Sequence, residues 1–378
     1  MTQWRVPLVD VVVADDDIAA VVETYRTGWL SMGPRTEELE DRFAAFTGSR
    51  HAFAVANGTA ALHLACLAAG VGPGDDVVVP SLTFVASVNA IAYTGATPVF
   101  ADVVSLTEPW LSASAVEAAI GPTTTAIMTV AYGGHVGETR ELRGLAERHG
   151  LALLEDAAHA AGSRADERHL GTFGLVGAFS FFPNKNLAVG EAGMVVTDDD
   201  DVAARVKLLR SHGMTTLTWD RHRGHASSYD VVELGYNYRI DEPRAAFAVS
   251  RLARLERENE QRRTVADRYR EAFAAAENFV VALPPADDAI SAEHLFTIVL
   301  DDGVARDRFR ASLADQGIQT SVHYPPAHTF TIYGDREADL PVTSSYGART
   351  VTLPLYAHMA EEQVDAVIEA VFRAVRLP

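Results

Sequence analysis

Two residues, each placed after an apolar run, could carry chemistry. Lys185 closes A-F-S-F-F-P-N-K-N, Ala178 to Asn186, a strand-like run that ends in a turn and sets the lysine beside the hydroxyl of Ser180. Asp156 closes L-A-L-L-E-D from Leu151, an apolar strand with its acid at the carboxyl end, where open α/β sheets place their ligands. A lysine that can form a Schiff base and an acid that can pair with a pyridinium nitrogen are what pyridoxal phosphate (PLP) chemistry asks of a protein. The amine must be unprotonated to attack a carbonyl, so Lys185 is expected to be partly desolvated or near other positive charge. Asp156 has the opposite task, since its charge would keep the ring nitrogen protonated and the ring electron-poor.

Taken singly, a lysine after a strand is most often a solvated surface residue, and an acid there is often a helix N-cap. The conjunction is what matters. Strand-like and helix-like segments alternate along the chain, so the two strand tips should converge on one edge of a single, mainly parallel sheet covered on both faces. The elements expected to position the pair begin with a helix over Thr36–Phe46, with Leu39, Phe43 and Phe46 on one face, and a strand at Ala52–Ala56. N-G-T-A-A at Asn57–Ala61 then opens a helical run that stops at Gly70. A tight turn feeding a helix offers backbone N–H groups and the positive end of the helix dipole, which suits a phosphate, although such a turn is also an ordinary strand-to-helix connection. A buried strand follows within Gly72–Pro80. Phe84 sits at its mouth, where it could stack on a planar ring or simply pack in the core.

Further strands are expected at Thr97–Ala101, Thr125–Val130, Ala178–Phe182 and Gly193–Thr197. A long amphipathic helix should start at D-E-P-R, with Asp241 as N-cap, and run towards Phe273. Beyond it, a strand at Leu295–Leu300 and a helix at Glu361–Val375 belong to a second domain.

Composition sets the outer bounds. The chain has 378 residues, 48% of them apolar, enough for one large and one smaller domain. Its single cysteine, Cys66, lies in an apolar helical run and reads as a packed core residue. The 13 histidines show no clustered metal-ligand pattern. No apolar stretch approaches bilayer length and no signal-peptide core is visible, which fits a cytoplasmic enzyme. A formal net charge of −19 argues against a nucleic-acid partner. An anionic cofactor or substrate must then be received by local donors.

The series N-G-T-A-A-L-H-L-A, P-S-L-T-F-V-A-S-V-N-A, G-A-T-P-V-F-A-D-V, E-D-A-A-H-A-A-G-S, F-S-F-F-P-N-K-N, L-G-Y-N-Y-R and H-Y-P-P-A-H resembles, in order and over nearly the whole chain, the DegT/StrS family of PLP-dependent sugar aminotransferases. The resemblance implies an α/β fold-type-I aminotransferase. Its large PLP-binding domain (1–245, N-terminal segment included) would be built on a mainly parallel sheet, with a smaller C-terminal α+β domain at 246–378. It implies a homodimer with shared active sites, a nucleotide-linked keto-sugar as acceptor and L-glutamate as amino donor. Lys185 would bind the cofactor covalently and shuttle protons. Asp156 would hold the pyridine nitrogen, Ser180 and the Gly58–Thr59–Ala60 turn the phosphate, and Phe84 would stack on the ring. Asn237, in L-G-Y-N-Y-R, would reach the phosphate in the neighbouring subunit. His323 and Tyr324 resemble the segment that approaches the sugar, and the loop around Trp29 one that lines the substrate cleft.

Two departures from the family pattern stand out. His159 replaces a common glutamine near the ring oxygen and could titrate there; G-E-A-G at Gly190–Gly193 has Ala192 in place of a glycine, which stiffens that loop. A related dehydratase would carry histidine in place of Lys185. The same resemblance is compatible with an aminocyclitol-precursor aminotransferase, and with a regulatory PLP-binding protein of the same fold, which would need the cofactor pocket but not the proton-transfer lysine. The sugar, its base and the aminated carbon should be decided by the segments 28–34, 212–229 and 322–333.

Overall fold

The computed structural model describes residues 4–216, 228–285, 288–334 and 338–376. Two helices come first, α1 (Asp15–Thr27) and α2 (Pro34–Thr47). The larger sheet then assembles from β1 (His51–Val55), β2 (Asp76–Pro80), β3 (Thr97–Ala101), β4 (Thr124–Val130), β5 (Ala152–Asp156), β8 (Val176–Ser180) and β9 (Gly193–Thr197), in the spatial order β1-β9-β8-β5-β4-β2-β3. Pairing is parallel throughout β8-β5-β4-β2-β3, and β9 runs antiparallel to both its neighbours. Strands such as D-V-V-V-P and T-T-A-I-M-T-V are apolar on both faces because helices cover both.

One face packs against α3 (Gly58–Ala68), α4 (Val85–Tyr93) and α7 (Asp200–Leu209), through residues such as Leu64, Ile91 and Val206 around Val77 and Val79. The other packs against α5 (Ala113–Ala119) and α6 (Thr139–His149) around Val78 and Ile127, and against α2 and α8 (Glu242–Leu252) around Phe179. This sandwich sends the carboxyl ends of β2, β4, β5 and β8 to one edge, where the site lies.

The expected single helix from Asp241 to Phe273 is two. Asp241 does cap α8, its side chain accepting from the Arg244 N–H, but the chain breaks at Ala253–Arg254 before α9 (Leu255–Phe273). The break is anchored: the Arg254 guanidinium donates to the fully buried Asp17 of α1 at 2.8 Å and to Glu258 at 2.8 Å. Ala248, Val249 and Leu252 still pack beneath the larger sheet, while Val265, Ala266 and Tyr269 pack under the smaller one. The expected division at 245/246 lies inside α8, and we propose that it falls at Ala253–Arg254.

The smaller sheet is antiparallel, β10 (Phe279–Val281), β12 (Phe296–Leu300) and β13 (Thr350–Leu353), with β12 central. It is covered by α9, α10 (Arg306–Asp315) and α12 (Glu361–Ala374), while α11 (Pro341–Arg349) leads into β13. Val6 joins this core, so it packs with the second domain rather than the first. A short third sheet, β11 (Ala289–Ile290), β6 (Arg164–Ala165) and β7 (Arg168–His169), bridges the two. Among the described residues no helix is long and apolar enough to cross a membrane.

Candidate active site

The parallel strands and the segment before α11 enclose a cavity of about 460 Å³, with Asp156 and Lys185 both in its wall. Asp156 is the last residue of β5 and is 5% exposed. Its Oδ2 accepts from Ser87 Oγ at 2.6 Å and its Oδ1 from the Ala158 N–H at 3.1 Å. Thr83 lies behind Ser87, hydroxyl to hydroxyl at 2.7 Å. Lys185 lies five residues past the end of β8, not directly on a strand end: β8 stops at Ser180, two residues short of the expected end. Beyond it Phe181 donates to Ala192 O, and the turn closes with the Lys185 N–H on Phe182 O at 2.8 Å.

The electrostatics follow from burial. Lys185 shows some surface because it forms the cavity wall, but the wall lies deep in protein. Desolvation pulls its amine down to about 8, against the opposing pull of Asp156. At pH 7 about one amine in ten is then unprotonated, against roughly one in three thousand at the ordinary lysine value. Desolvation also raises the Asp156 carboxyl, while Ser87, the Ala158 N–H and the charge of Lys185 lower it. A buried carboxylate with two neutral donors gains most from a cation brought to its open side.

The expected phosphate end is built at the start of α3. Gly58 and Thr59 line the cavity opposite Ser180, and the approach is close: a Cβ on Gly58 would lie 2.6 Å from Ser180 Cβ and 2.9 Å from its Oγ. Ala60, expected with them, does not line the cavity. Its N–H is taken by the Asn57 side chain, which caps the helix at 2.8 Å. The glycine-tight helix start, the Ser180 hydroxyl, the under-satisfied Asp156 and the depressed Lys185 amine together fit PLP. They answer the need for local anion donors in a chain of net charge −19.

His159 is in the wall. Burial pushes it well below the usual imidazole range, with Lys185 and His323 adding to the shift. The Gly133 N–H donates to Nδ1 at 3.2 Å, so the neutral ring carries its proton on Nε2, 3.0 Å from the Tyr324 hydroxyl. Tyr324 and His323 both line the cavity. His323 is held by Thr352 Oγ1 at 2.8 Å, and burial brings it down to about 4. Phe84 stands at the mouth, 56% exposed, its ring 5.8 Å from that of Tyr324.

Two further candidates do not line the cavity, and of these Asn237 is the one expected to serve the neighbouring subunit rather than its own. Asn237 is exposed and does not line this cavity. Trp29 does not line it either; its Nε1 donates to Met32 O at 3.3 Å and its ring packs on Gly33. That loop is held by Glu242, whose buried carboxylate accepts from the Gly33, Arg35 and Thr36 N–H groups at 2.7–2.9 Å. Of the segment 212–229, residues 217–227 lie outside those described. Ala192 keeps a negative φ, and its methyl packs in the core with Phe179 and Met194, so the exchanged glycine costs the loop no strain. Polar wall residues not expected from sequence include Thr83, Asn184 and Glu191, and Ser87, which joins Thr83 to Asp156, does not itself line the cavity.

The match to the family model "DegT/DnrJ/EryC1/StrS aminotransferase family" covers residues 12–372. The chain is 41% identical over 370 residues to the spore coat polysaccharide biosynthesis protein SpsC of Bacillus subtilis (strain 168), covering 95% of this chain and 94% of that one. It superposes on S. venezuelae DesV, solved in complex with a ketimine intermediate, with a TM-score of 0.91 and 36% identity over 99% of both chains. The PLP form of a putative sugar aminotransferase, Spr1654 from Streptococcus pneumoniae, is similar with a TM-score of 0.91 and 27% identity over 98% of both chains.

Proposed function

The chain belongs to the DegT/DnrJ/EryC1/StrS aminotransferase family, and from that premise we propose that it aminates a nucleotide-linked keto-deoxysugar, taking the amino group from L-glutamate. It is a PLP-dependent sugar aminotransferase. The observation that carries the finer reading is a cavity whose phosphate cradle, Lys185 and Asp156 leave a mouth lined by Phe84, His323 and Tyr324. That mouth offers aromatic faces and neutral hydrogen-bond donors, the surface a sugar needs.

PLP, when bound, would supply a carbonyl carbon able to carry an amino group between donor and acceptor and a ring that acts as an electron sink. The rest is the work of this chain. Lys185 Nζ, with its depressed pKa, holds and releases a proton at neutral pH. Asp156 presents a negative charge fixed by Ser87 and Ala158. His159 donates from Nε2 to Tyr324 and orients that hydroxyl at the mouth. Asn237, exposed on its own chain, serves the cofactor phosphate of a second subunit in our reading, which makes the homodimer the smallest active unit.

A panel of nucleotide-linked amino sugars, mixed singly with the PLP-loaded protein, tests the substrate. The true product should convert the cofactor spectrum to the pyridoxamine form, and L-glutamate should do the same. If free amino sugars or aminocyclitols react and nucleotide-linked ones do not, the substrate class is wrong.

A further inference from the structure

His63 lies on α3, the helix whose first turn carries Gly58 and Thr59, but it is 4% exposed and faces away from the cavity. It is enclosed by three tyrosine rings. Its Nδ1 is 3.1 Å from the Tyr238 hydroxyl, and its ring meets those of Tyr236 at 5.0 Å and Tyr93 at 5.6 Å, both edge-on. Tyr236 and Tyr238 stack on each other, 4.9 Å apart and 13° from parallel.

Residues two apart in an extended chain share a face, and the residue between them faces the other way. Clamping Tyr236 and Tyr238 inward on His63 therefore turns Asn237 outward, where it is exposed. The backbone repeats the tie. Tyr238 O accepts from the Ala56 N–H at 2.7 Å, directly before the Asn57–Thr59 turn, and Arg239 bridges Val55.

We propose that His63 is a positioning residue for the other subunit's cofactor site: it fixes the arm that carries Asn237 to the helix that cradles its own subunit's phosphate. The inference rests on the dimer reading given above. Ordering of one phosphate cradle then stiffens the donor offered to the other, and the two sites are linked through a single helix.

The test uses heterodimers purified through two different tags, each with Lys185→Ala on one chain. Visible absorbance of the Lys185-bound cofactor then reports one site only, and a PLP titration gives its affinity without any turnover. With His63→Leu placed on the Lys185→Ala chain, that site should bind PLP about tenfold more weakly, the size of one lost hydrogen bond. With His63→Leu on the Lys185 chain instead, affinity should stay within about twofold of the unsubstituted heterodimer. Equal loss in both arrangements, loss only in the second, or loss in neither overturns the proposal. Asn237→Ala in the same two arrangements checks the underlying reading separately: if it weakens the site of its own chain, the shared-site dimer is wrong whatever His63 does. Tyr238→Phe removes only the hydroxyl, and with it the same hydrogen bond, and should give the same pattern with a similar loss. His63→Gln can still bond that hydroxyl and should recover most of the affinity. Both keep the test open if His63→Leu does not fold.

Discussion

Glu155 and Asp156 are adjacent, both buried at the tip of β5, and both have their carboxyl raised first of all by desolvation. They face opposite sides of the strand, and their surroundings differ in kind. Glu155 is met by the turn after β7: its oxygens accept from the Gly171 N–H at 2.8 Å and the Gly174 N–H at 2.6 Å. That turn comes so close that a Cβ on Gly174 would sit 2.3 Å from Leu153 O. Asp156 instead has one hydroxyl, one N–H and an open side towards Lys185. A buried acid wrapped by backbone donors holds a fold together; one left facing a cavity is set to receive a charge.

The comparison can be broken from the cavity side first. Lys185→Ala should abolish turnover while leaving circular dichroism and melting temperature near those of the parent, because the side chain ends in the cavity wall and not in a packed core. Retained transamination would remove the lysine from the mechanism. Asp156→Asn keeps shape and discards charge, so kcat should fall about a hundredfold to a thousandfold, or about 2.7–4 kcal/mol of transition-state stabilisation. A change of only a few fold would make this acid another Glu155.

Smaller effects sharpen the contrast. With the Lys185 amine at about 8, capture of PLP by the cofactor-free protein should accelerate about tenfold per pH unit below that value and level off above it. A rate that keeps rising towards pH 10 would mean that burial does not depress the amine. Ser87→Ala removes the 2.6 Å bond to Asp156 and should slow turnover by about tenfold, the weaker end of a hydrogen bond to a charged group, with no matching loss in melting temperature. Glu155→Gln should do the reverse. It strands a backbone N–H at the Gly171–Gly174 turn and should cost about 1–3 kcal/mol in denaturant titrations, with activity per folded molecule within about threefold.

What could be read from sequence was the part carried by local pattern. Apolar runs at Leu151–Asp156 and Ala178–Phe182, and a turn at Asn57–Thr59 opening a helix, put each group near one sheet edge, although the second strand stops at Ser180 rather than Phe182. Their partners were not legible. Ser87 reaches Asp156 from the first turn of α4, across 69 residues of chain, and nothing in P-S-L-T-F-V-A-S distinguishes that serine from a surface one. The state of His159 also lay out of reach, since it depends on the Gly133 N–H and on burial, both set by tertiary packing. The break at Ala253–Arg254 was hidden for the same reason. R-L-A-R-L-E-R-E-N-E-Q-R-R has no glycine or proline to interrupt it, and the bend is held from outside by Asp17 of α1.

The central claim is that one buried lysine carries the cofactor, and this chain makes the claim unusually easy to check because it has only two lysines, Lys185 in the cavity wall and Lys207 exposed on α7. Borohydride reduction of the PLP-loaded protein, followed by peptide mass mapping, should place a covalent adduct on Lys185 and none on Lys207. An adduct on Lys207 or the amino terminus with Lys185 unmodified would contradict the account.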